Sequence, residues 1–270
     1  MRLHSRLAFL PFIAIIVSSC SASRMLKTPP QVWTATSYQV LTDAYKQKKQ
    51  ADALCMPTSD FAQKKQGYEL AMSAWTAVRA VGTPAKELGV LVSKCAGLYA
   101  DWITDAELLK DVTLKGVAAA EESGANNGDP LACYYMAFNK GIYINNIGIK
   151  AIGKAGAVVD ILKVAARLPD TDQGGPLRVL GILYLRAPAW PLGPGDQDEA
   201  MHWLKLAVEK YPSHPQNHMF FAEVLLSDGQ KQKAVAELEA ASKLIASGDW
   251  GDYSKRWQAE VDELMKRAKK

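Results

Sequence analysis

Apolar positions follow helical spacing along nearly the whole chain after residue 30. Glu, Lys, Gln, Ala and Leu dominate, and no convincing run of alternating β-branched residues occurs. This pattern predicts an all-α protein of about ten or eleven helices, most of them about 14–22 residues long. The turn signals between helices are short, so consecutive helices should pack as antiparallel pairs.

Aspartates mark four of the predicted helix starts. Asp60, Asp105 and Asp196 each precede a helical pattern, and Asp129 stands directly before Pro130. A carboxylate in this position accepts a hydrogen bond from backbone N–H groups that the first helical turn leaves unpaired. We therefore expect helices to begin immediately after these residues.

Internal repeats predict how the helices are arranged. The tetratricopeptide pattern has W-x2-L-G-x2-Y in its first helix and A-x3-F in its second, and its small residues let the paired helices approach closely. Two segments follow this pattern well, at 177–184 with 200–204 and at 218–225 with 234–238. Two weaker copies lie upstream, at 131–138 with 157–161 and at 92–99 with 118–120.

The repeats are longer than the regular form. Their corresponding first-helix positions, Ala96, Tyr135, Gly181 and Ala222, recur at intervals of about 40 residues, against ~34 in a regular repeat. The extra residues fall between the paired helices. We therefore predict a single domain over 31–270, a helix-pair solenoid of about four degenerate repeats.

The amino-terminal residues follow the order of regions that is typical of a secretory signal peptide. Arg2 and Arg6 precede an apolar run over 7–17, which is shorter than the ~20 apolar residues that span a bilayer. The sequence Val-Ser-Ser-Cys, ending at Cys20, resembles the lipobox of bacterial lipoproteins. That resemblance implies that residues 1–19 are removed as a signal peptide and that the Cys20 thiol is acylated.

The residues after Cys20 bear on where the protein resides. Residues 20–30 form a polar tether that would keep the folded domain close to a membrane. Ser21 follows the cysteine, and by resemblance to the sorting rule of Gram-negative lipoproteins this favours the periplasmic face of the outer membrane. The alternative is an ordinary signal peptide in which the cysteine is incidental.

The charge distribution argues against a nucleic-acid-binding surface, and the cysteine spacing argues against a cysteine metal site. The formal net charge is +4 with Lys and Arg scattered along the chain, so the basic stripe typical of nucleic-acid binding is missing. Besides Cys20 the chain has Cys55, Cys95 and Cys133 without a C-x-x-C spacing, which argues against a cysteine metal site. One disulfide with one buried thiol, or three buried thiols, fit this number equally well.

An insert rich in proline and glycine departs from the plain repeat. It runs from Arg186 to Asp196 and contains three prolines, two glycines and Trp190. Proline restricts φ and glycine permits tight turns, so the insert should be ordered but not helical.

This region carries a resemblance to a known family. The sequences Gly-Gly-Pro-Leu-Arg-Val-Leu-Gly at 174–181 and Ala-Pro-Ala-Trp-Pro-Leu at 187–192, followed by Gly195-Asp196, are similar to the T-component of tripartite ATP-independent periplasmic (TRAP) transporters. The resemblance is clearest over 128–245. It implies a periplasmic lipoprotein with tetratricopeptide-like helix pairs that associates with the transporter's solute-binding subunit and forms trimers with a pore or cleft.

Four residues are candidates for a ligand-binding cleft: Arg178, Tyr184, Trp190 and Asp196. Arg178 lies in an otherwise apolar helix, where it could pair with Asp196 or Asp198 or face a solute carboxylate. Trp190 could pack as a plug that closes a helix layer, which we favour, or could line a ligand site.

Other motifs are weaker. Residues 148–155 differ by one residue from the phosphate loop G-x-x-x-x-G-K-[ST] and lack the hydroxyl that would hold Mg²⁺. His214 and His218 have metal-ligand spacing but no third ligand in a helical zinc pattern. No nucleophile elbow or paired catalytic carboxylates stand out. We expect no cofactor, no metal and no enzymatic activity.

The sequence therefore favours a binding protein over a catalyst. The expected partner is the solute-binding protein of a TRAP-type transporter. The alternatives are an assembly scaffold of the cell envelope without a transporter, and an uncharacterised hydrolase, which would need a base within hydrogen-bond reach of a nucleophile.

Overall fold

A computed structural model describes residues 34–147 and 155–270, which contain eleven α-helices and no strand. The helices are α1 Ala35–Leu54, α2 Phe61–Ala80, α3 Lys86–Ala100, α4 Ala106–Glu122, α5 Pro130–Ile147, α6 Ala155–Ala165, α7 Gly175–Arg186, α8 Gln197–Lys210, α9 Pro215–Ser227, α10 Lys231–Ser247 and α11 Tyr253–Lys269. The predicted all-α class is confirmed. The predicted signal peptide, Cys20 and the tether lie outside the described residues.

The four aspartates begin helices as predicted. The carboxylates of Asp60, Asp105, Asp129 and Asp196 accept hydrogen bonds of 2.7–3.0 Å from backbone N–H groups of the first turns of α2, α4, α5 and α8. At Asp60 the bond is reciprocal, because the Gln63 side chain accepts from the Asp60 backbone at 2.9 Å. These local bonds set where the helices start.

The helices form two layers. Each helix packs against the next in sequence, and each odd-numbered helix also contacts the following odd-numbered one. The even-numbered helices do not contact each other within the described ranges, and an open groove of about 570 Å³ separates α2 from α4. Helices in the layer of smaller radius are closer together, so the odd-numbered helices line the concave side of a curved array.

The predicted repeats coincide with helix pairs. Their first helices are α3, α5, α7 and α9, and their second helices are α4, α6, α8 and α10. Small residues permit the close approach within a pair: a Cβ atom added to Gly181 would lie 2.5 Å from Leu204 Cγ. The array extends beyond these four pairs, with α1 and α2 before them and α11 after them.

One disulfide joins the end of α1 to α3. Cys55, directly after α1, is bonded to Cys95 in α3, with the two Cα atoms 5.2 Å apart. Cys133 is buried and free, and its thiol lies 3.4 Å from the Ala125 carbonyl oxygen. Of the two arrangements that the sequence left open, one bridge with one buried thiol is therefore correct.

The array closes on itself where α11 begins. The Asp101 carboxylate, at the end of α3, accepts a hydrogen bond from the Tyr253 hydroxyl at 2.7 Å and from the Arg256 guanidinium at 2.8 Å. The Trp102 ring packs edge-on against Tyr253, with the centroids 5.0 Å apart. We call these four residues the clasp. Because Asp101 and Tyr253 are 152 residues apart in sequence, this contact connects the end of α3 to the last helix of the array.

A buried lysine supports the clasp. Lys64 of α2 is fully buried, and its ammonium lies 5.5 Å from the centroid of the Trp102 ring and 5.2 Å from that of Tyr253. The ammonium donates to the carbonyl oxygens of Pro57, at 3.1 Å, and Ser59. Burial lowers the pKa of Lys64, although nearby carboxylates offset part of this effect.

Candidate binding surface

The insert between α7 and α8 is held by its own backbone. The Gly195 N–H donates to the Pro188 carbonyl at 2.8 Å, and the Leu192 N–H donates to the Ala189 carbonyl at 3.1 Å. At the base, the Asp196 N–H donates to the Tyr184 carbonyl, also at 3.1 Å. The insert is therefore ordered and non-helical, as the sequence predicts.

Two glycines make this loop geometry feasible. A Cβ atom added to Gly193 would lie 2.7 Å from the Pro188 carbonyl oxygen, and one added to Gly195 would clash with the Ala187 carbonyl oxygen. Larger residues at either position would force the two arms of the loop apart. The loop conformation thus depends on both glycines.

The tip of the insert is apolar and exposed. Trp190 is 86% exposed and Leu192 is 68% exposed, and the Ala189 and Pro191 beside them are exposed as well. The interpretation of Trp190 as a packed plug is therefore wrong. Because the backbone of the loop bonds to itself, its tip is held in solvent instead of between the helices.

Arg178 is a structural residue. It is 3% exposed, and its guanidinium donates to the Asp172 carboxylate at 2.6 Å and to the Asn217 side-chain oxygen at 2.8 Å. The suggested pairing with Asp196 or Asp198 is wrong, because Asp172 in the α6–α7 turn already occupies the guanidinium. Arg178 thus connects α7 to α9, and its charge is not available to a solute in this conformation.

Tyr184 and Asp196 are linked by the backbone hydrogen bond at the base of the insert, but they do not form a cleft with Arg178 and Trp190. Tyr184 is buried, and a hydrogen bond with it raises the pKa of the exposed Lys163. Asp196 caps α8. The four candidates therefore divide into two core positions, Arg178 and Tyr184, one exposed helix cap, Asp196, and one exposed tip, Trp190.

A small cavity on the concave side was not predicted. It has a volume of about 240 Å³ between α7, α9 and α11. Its lining residues are Arg186, Met219, Phe220, Glu223, Glu260, Glu263, Leu264 and Arg267. These residues come from three helices distant in sequence, so no motif spacing could have indicated the cavity.

The charges in this cavity are mostly paired. The Arg186 guanidinium binds both oxygens of the Glu223 carboxylate, at 3.2 and 2.7 Å, and lies over the Phe220 ring at 5.4 Å. Burial raises the pKa of Glu260, although Arg256 and Arg186 oppose that shift. The cavity therefore resembles an ion-paired junction between helices more than an open ligand site.

The two histidines with metal-ligand spacing serve separate structural roles. His214 caps α9 and packs on the Trp250 and Trp257 rings, and its burial lowers its pKa to about 2. His218 Nδ1 lies 2.6 Å from the Glu237 carboxylate; this bond raises its pKa although burial acts in the opposite direction. In the part of the chain that the structure describes, no three potential metal-ligating side chains come together.

Residues 148–154 of the phosphate-loop-like segment lie outside the described residues. Among the helices that are described, none is both long and apolar enough to cross a bilayer.

Comparison with models of protein families gave no match, and comparison with curated proteins gave no relative.

Proposed function

We propose that the protein is a lipid-anchored periplasmic binding protein that associates with the solute-binding subunit of a TRAP-type transporter as its accessory T-component. The observation that carries this proposal is the ordered insert at 187–196, which holds Trp190 in solvent. The same segment carries the sequence resemblance to the T-component family.

The array provides a scaffold suited to binding. The Cys55–Cys95 disulfide and the clasp fix the relative positions of the helices that they join. A preformed surface loses less conformational freedom on association than a flexible one, so more of its contact energy appears as affinity. Acylation of Cys20 would concentrate this surface at the membrane where the partner encounters it.

Purification from native membranes tests the proposed partner. The full precursor with a carboxyl-terminal affinity tag is expressed in the bacterium that naturally produces it. The membranes are solubilised in mild detergent, the tagged protein is purified, and the proteins bound to it are identified by mass spectrometry. We expect a periplasmic solute-binding protein among them. Recovery of envelope-assembly proteins, with no solute-binding protein, would instead support the scaffold alternative.

The lipid anchor needs its own test. Cys20→Ser, expressed in the same way, should be found in the soluble periplasmic fraction, whereas the unchanged chain should sediment with the outer membrane. Mass spectrometry of the purified chain should show an acylated amino-terminal Cys20. An unmodified amino terminus at another position would contradict the lipoprotein part of the proposal.

A further inference from the structure

The tip of the insert is the most prominent exposed apolar feature of the described residues. Ala189, Trp190, Pro191 and Leu192 are four consecutive exposed residues without a charge among them. Trp190 has the highest exposure of the large hydrophobic residues described, followed by Leu192. A run of this kind is unfavourable in water and is retained in folded proteins mainly where it makes contact with another molecule.

The tip is also rigid enough to act as an anchor. Four backbone hydrogen bonds close the loop, and both arms end in helices, α7 and α8. The backbone that carries Trp190 is therefore already ordered, and it loses little freedom when the side chain enters a pocket. Tryptophan is among the residues that contribute most to protein–protein affinity when it is buried in a pocket of the partner.

The charges beside the tip distinguish the two plausible kinds of partner. Asp196 and Asp198, at the base of the insert, are exposed carboxylates. At the other end of the insert, Arg186 is already bonded to Glu223. An anionic bilayer would be repelled by these carboxylates, whereas a protein pocket with basic side chains at its border would complement them.

From these features we infer that residues 189–192 form a docking tip that inserts into an apolar pocket with a basic border on a protein partner. The identity of that partner as the transporter's solute-binding protein rests on the proposed function. The assignment of the docking surface to this tip rests on the exposure of Trp190 and Leu192, on the hydrogen-bonded backbone of the loop and on the carboxylates beside it.

Site-specific photo-crosslinking tests the surface in the native envelope. Ala189 is replaced by p-benzoylphenylalanine, which leaves Trp190 and Leu192 unchanged. The control places the same group at Tyr45 on α1, which is 65% exposed. We expect irradiation to join position 189 to the solute-binding protein and position 45 to give no such product.

Binding of the purified proteins gives the quantitative test. The probe is the solute-binding protein, and the double variant Trp190→Ala/Leu192→Ala is compared with Tyr45→Ala. The double variant should lose at least about tenfold in affinity and Tyr45→Ala less than about twofold. Asp198→Lys should also weaken binding, and raising the salt concentration should reduce the difference between Asp198→Lys and the unchanged chain.

The outcomes separate the two proposals. Position 189 could instead crosslink to a protein other than the solute-binding protein. If that protein, once purified, binds the double variant at least about tenfold more weakly than the unchanged chain, the docking tip is supported and the proposed transporter partner is wrong. Equal affinity of the double variant and Tyr45→Ala for the crosslinked protein would overturn the docking tip. Crosslinking of position 189 to lipid, to a second copy of this chain or to nothing would overturn it too.

A vesicle assay examines the membrane alternative directly. The chain without residues 1–20, which carries no lipid, is mixed with phosphatidylglycerol-rich vesicles and with phosphatidylcholine vesicles and floated on a density gradient. We expect no flotation with either. Flotation that the double variant abolishes would show that the tip binds bilayers and would overturn the inference.

Discussion

The Arg178 guanidinium donates to the Asn217 side chain at 2.8 Å across 39 residues of sequence. The same guanidinium binds Asp172 at 2.6 Å, so one buried cation connects α7, α9 and the α6–α7 turn. Removal of the guanidinium would leave the Asn217 side-chain oxygen and the Asp172 carboxylate without their main hydrogen-bond donor.

Arg178→Met should therefore destabilise the fold strongly. We expect the free energy of unfolding to fall by about 1.5–3 kcal/mol, because the buried guanidinium loses its hydrogen bonds to Asn217 and to the Asp172 carboxylate. The matched control is Arg186→Met, since Arg186 also pairs with a carboxylate but its side chain is 58% exposed; there we expect a loss below about 1 kcal/mol. Urea unfolding followed by circular dichroism measures both, and equal losses would refute a structural role specific to Arg178.

Asp101→Asn should weaken the clasp. The amide keeps the shape of the side chain but removes the negative charge that Arg256 binds at 2.8 Å. We expect a loss of about 1–3 kcal/mol in the free energy of unfolding and a larger radius of gyration in X-ray scattering as α11 separates from the end of α3. Glu107→Gln, at a side chain that is 87% exposed, is the control and should change neither quantity. Unchanged scattering for Asp101→Asn would mean that other contacts suffice to close the array.

Two glycines in helices should respond oppositely to alanine. Gly181→Ala places a methyl group 2.5 Å from Leu204 Cγ and 3.1 Å from the Leu204 backbone nitrogen, which should cost about 1–3 kcal/mol through overpacking. A Cβ atom on Gly141 meets nothing within 4 Å, so Gly141→Ala should stabilise α5 by about 1 kcal/mol through higher helix propensity. Thermal unfolding of both variants checks the sign of each change.

The stability of the protein should depend on pH through His214. Its pKa is lowered to about 2 in the folded protein, whereas its ordinary value is 6.5, so the unfolded chain binds a proton that the folded chain does not bind. His214 therefore contributes stability above pH 6.5 that is lost as the pH falls toward 2. From pH 7 to 5 this contribution should fall by about 2 kcal/mol.

His214→Asn isolates this effect. Asparagine can cap α9 but cannot be protonated, so the variant should lose about 2 kcal/mol less than the unchanged chain between pH 7 and 5. Urea unfolding at the two pH values measures the difference. The opposite contribution of His218, whose pKa is raised, is present in both proteins and cancels. Parallel losses in the two proteins would show that His214 does not carry the dependence.

Much of the architecture could be predicted because its causes are local. The aspartate caps act on N–H groups two or three residues away, and the apolar spacing within each segment predicts its helix. Small residues such as Gly181 at the repeat positions correctly indicated which helices pair. The insert could be recognised as ordered and non-helical from its prolines and glycines alone.

The candidate site was harder to predict because exposure is not a local property. Trp190 and Arg178 both stood out in the sequence, but their environments are opposite: the first is 86% exposed and the second 3%. Whether Trp190 is covered depends on how the insert folds against α7 and α8. Whether Arg178 is free depends on Asp172 and Asn217, which the helix packing brings to it.

The sequence by itself determined the all-α class, the helix starts, the pairing of helices and the location of the unusual insert, since each follows from contacts within a few tens of residues. Only the tertiary structure decided that Cys55 bonds to Cys95, that Asp101 meets Tyr253 across 152 residues and that Trp190 points into solvent. The disulfide and the contact of Asp101 with Tyr253 depend on how separate helices pack together, which no local pattern specifies. The exposure of Trp190 depends on how the insert folds relative to α7 and α8.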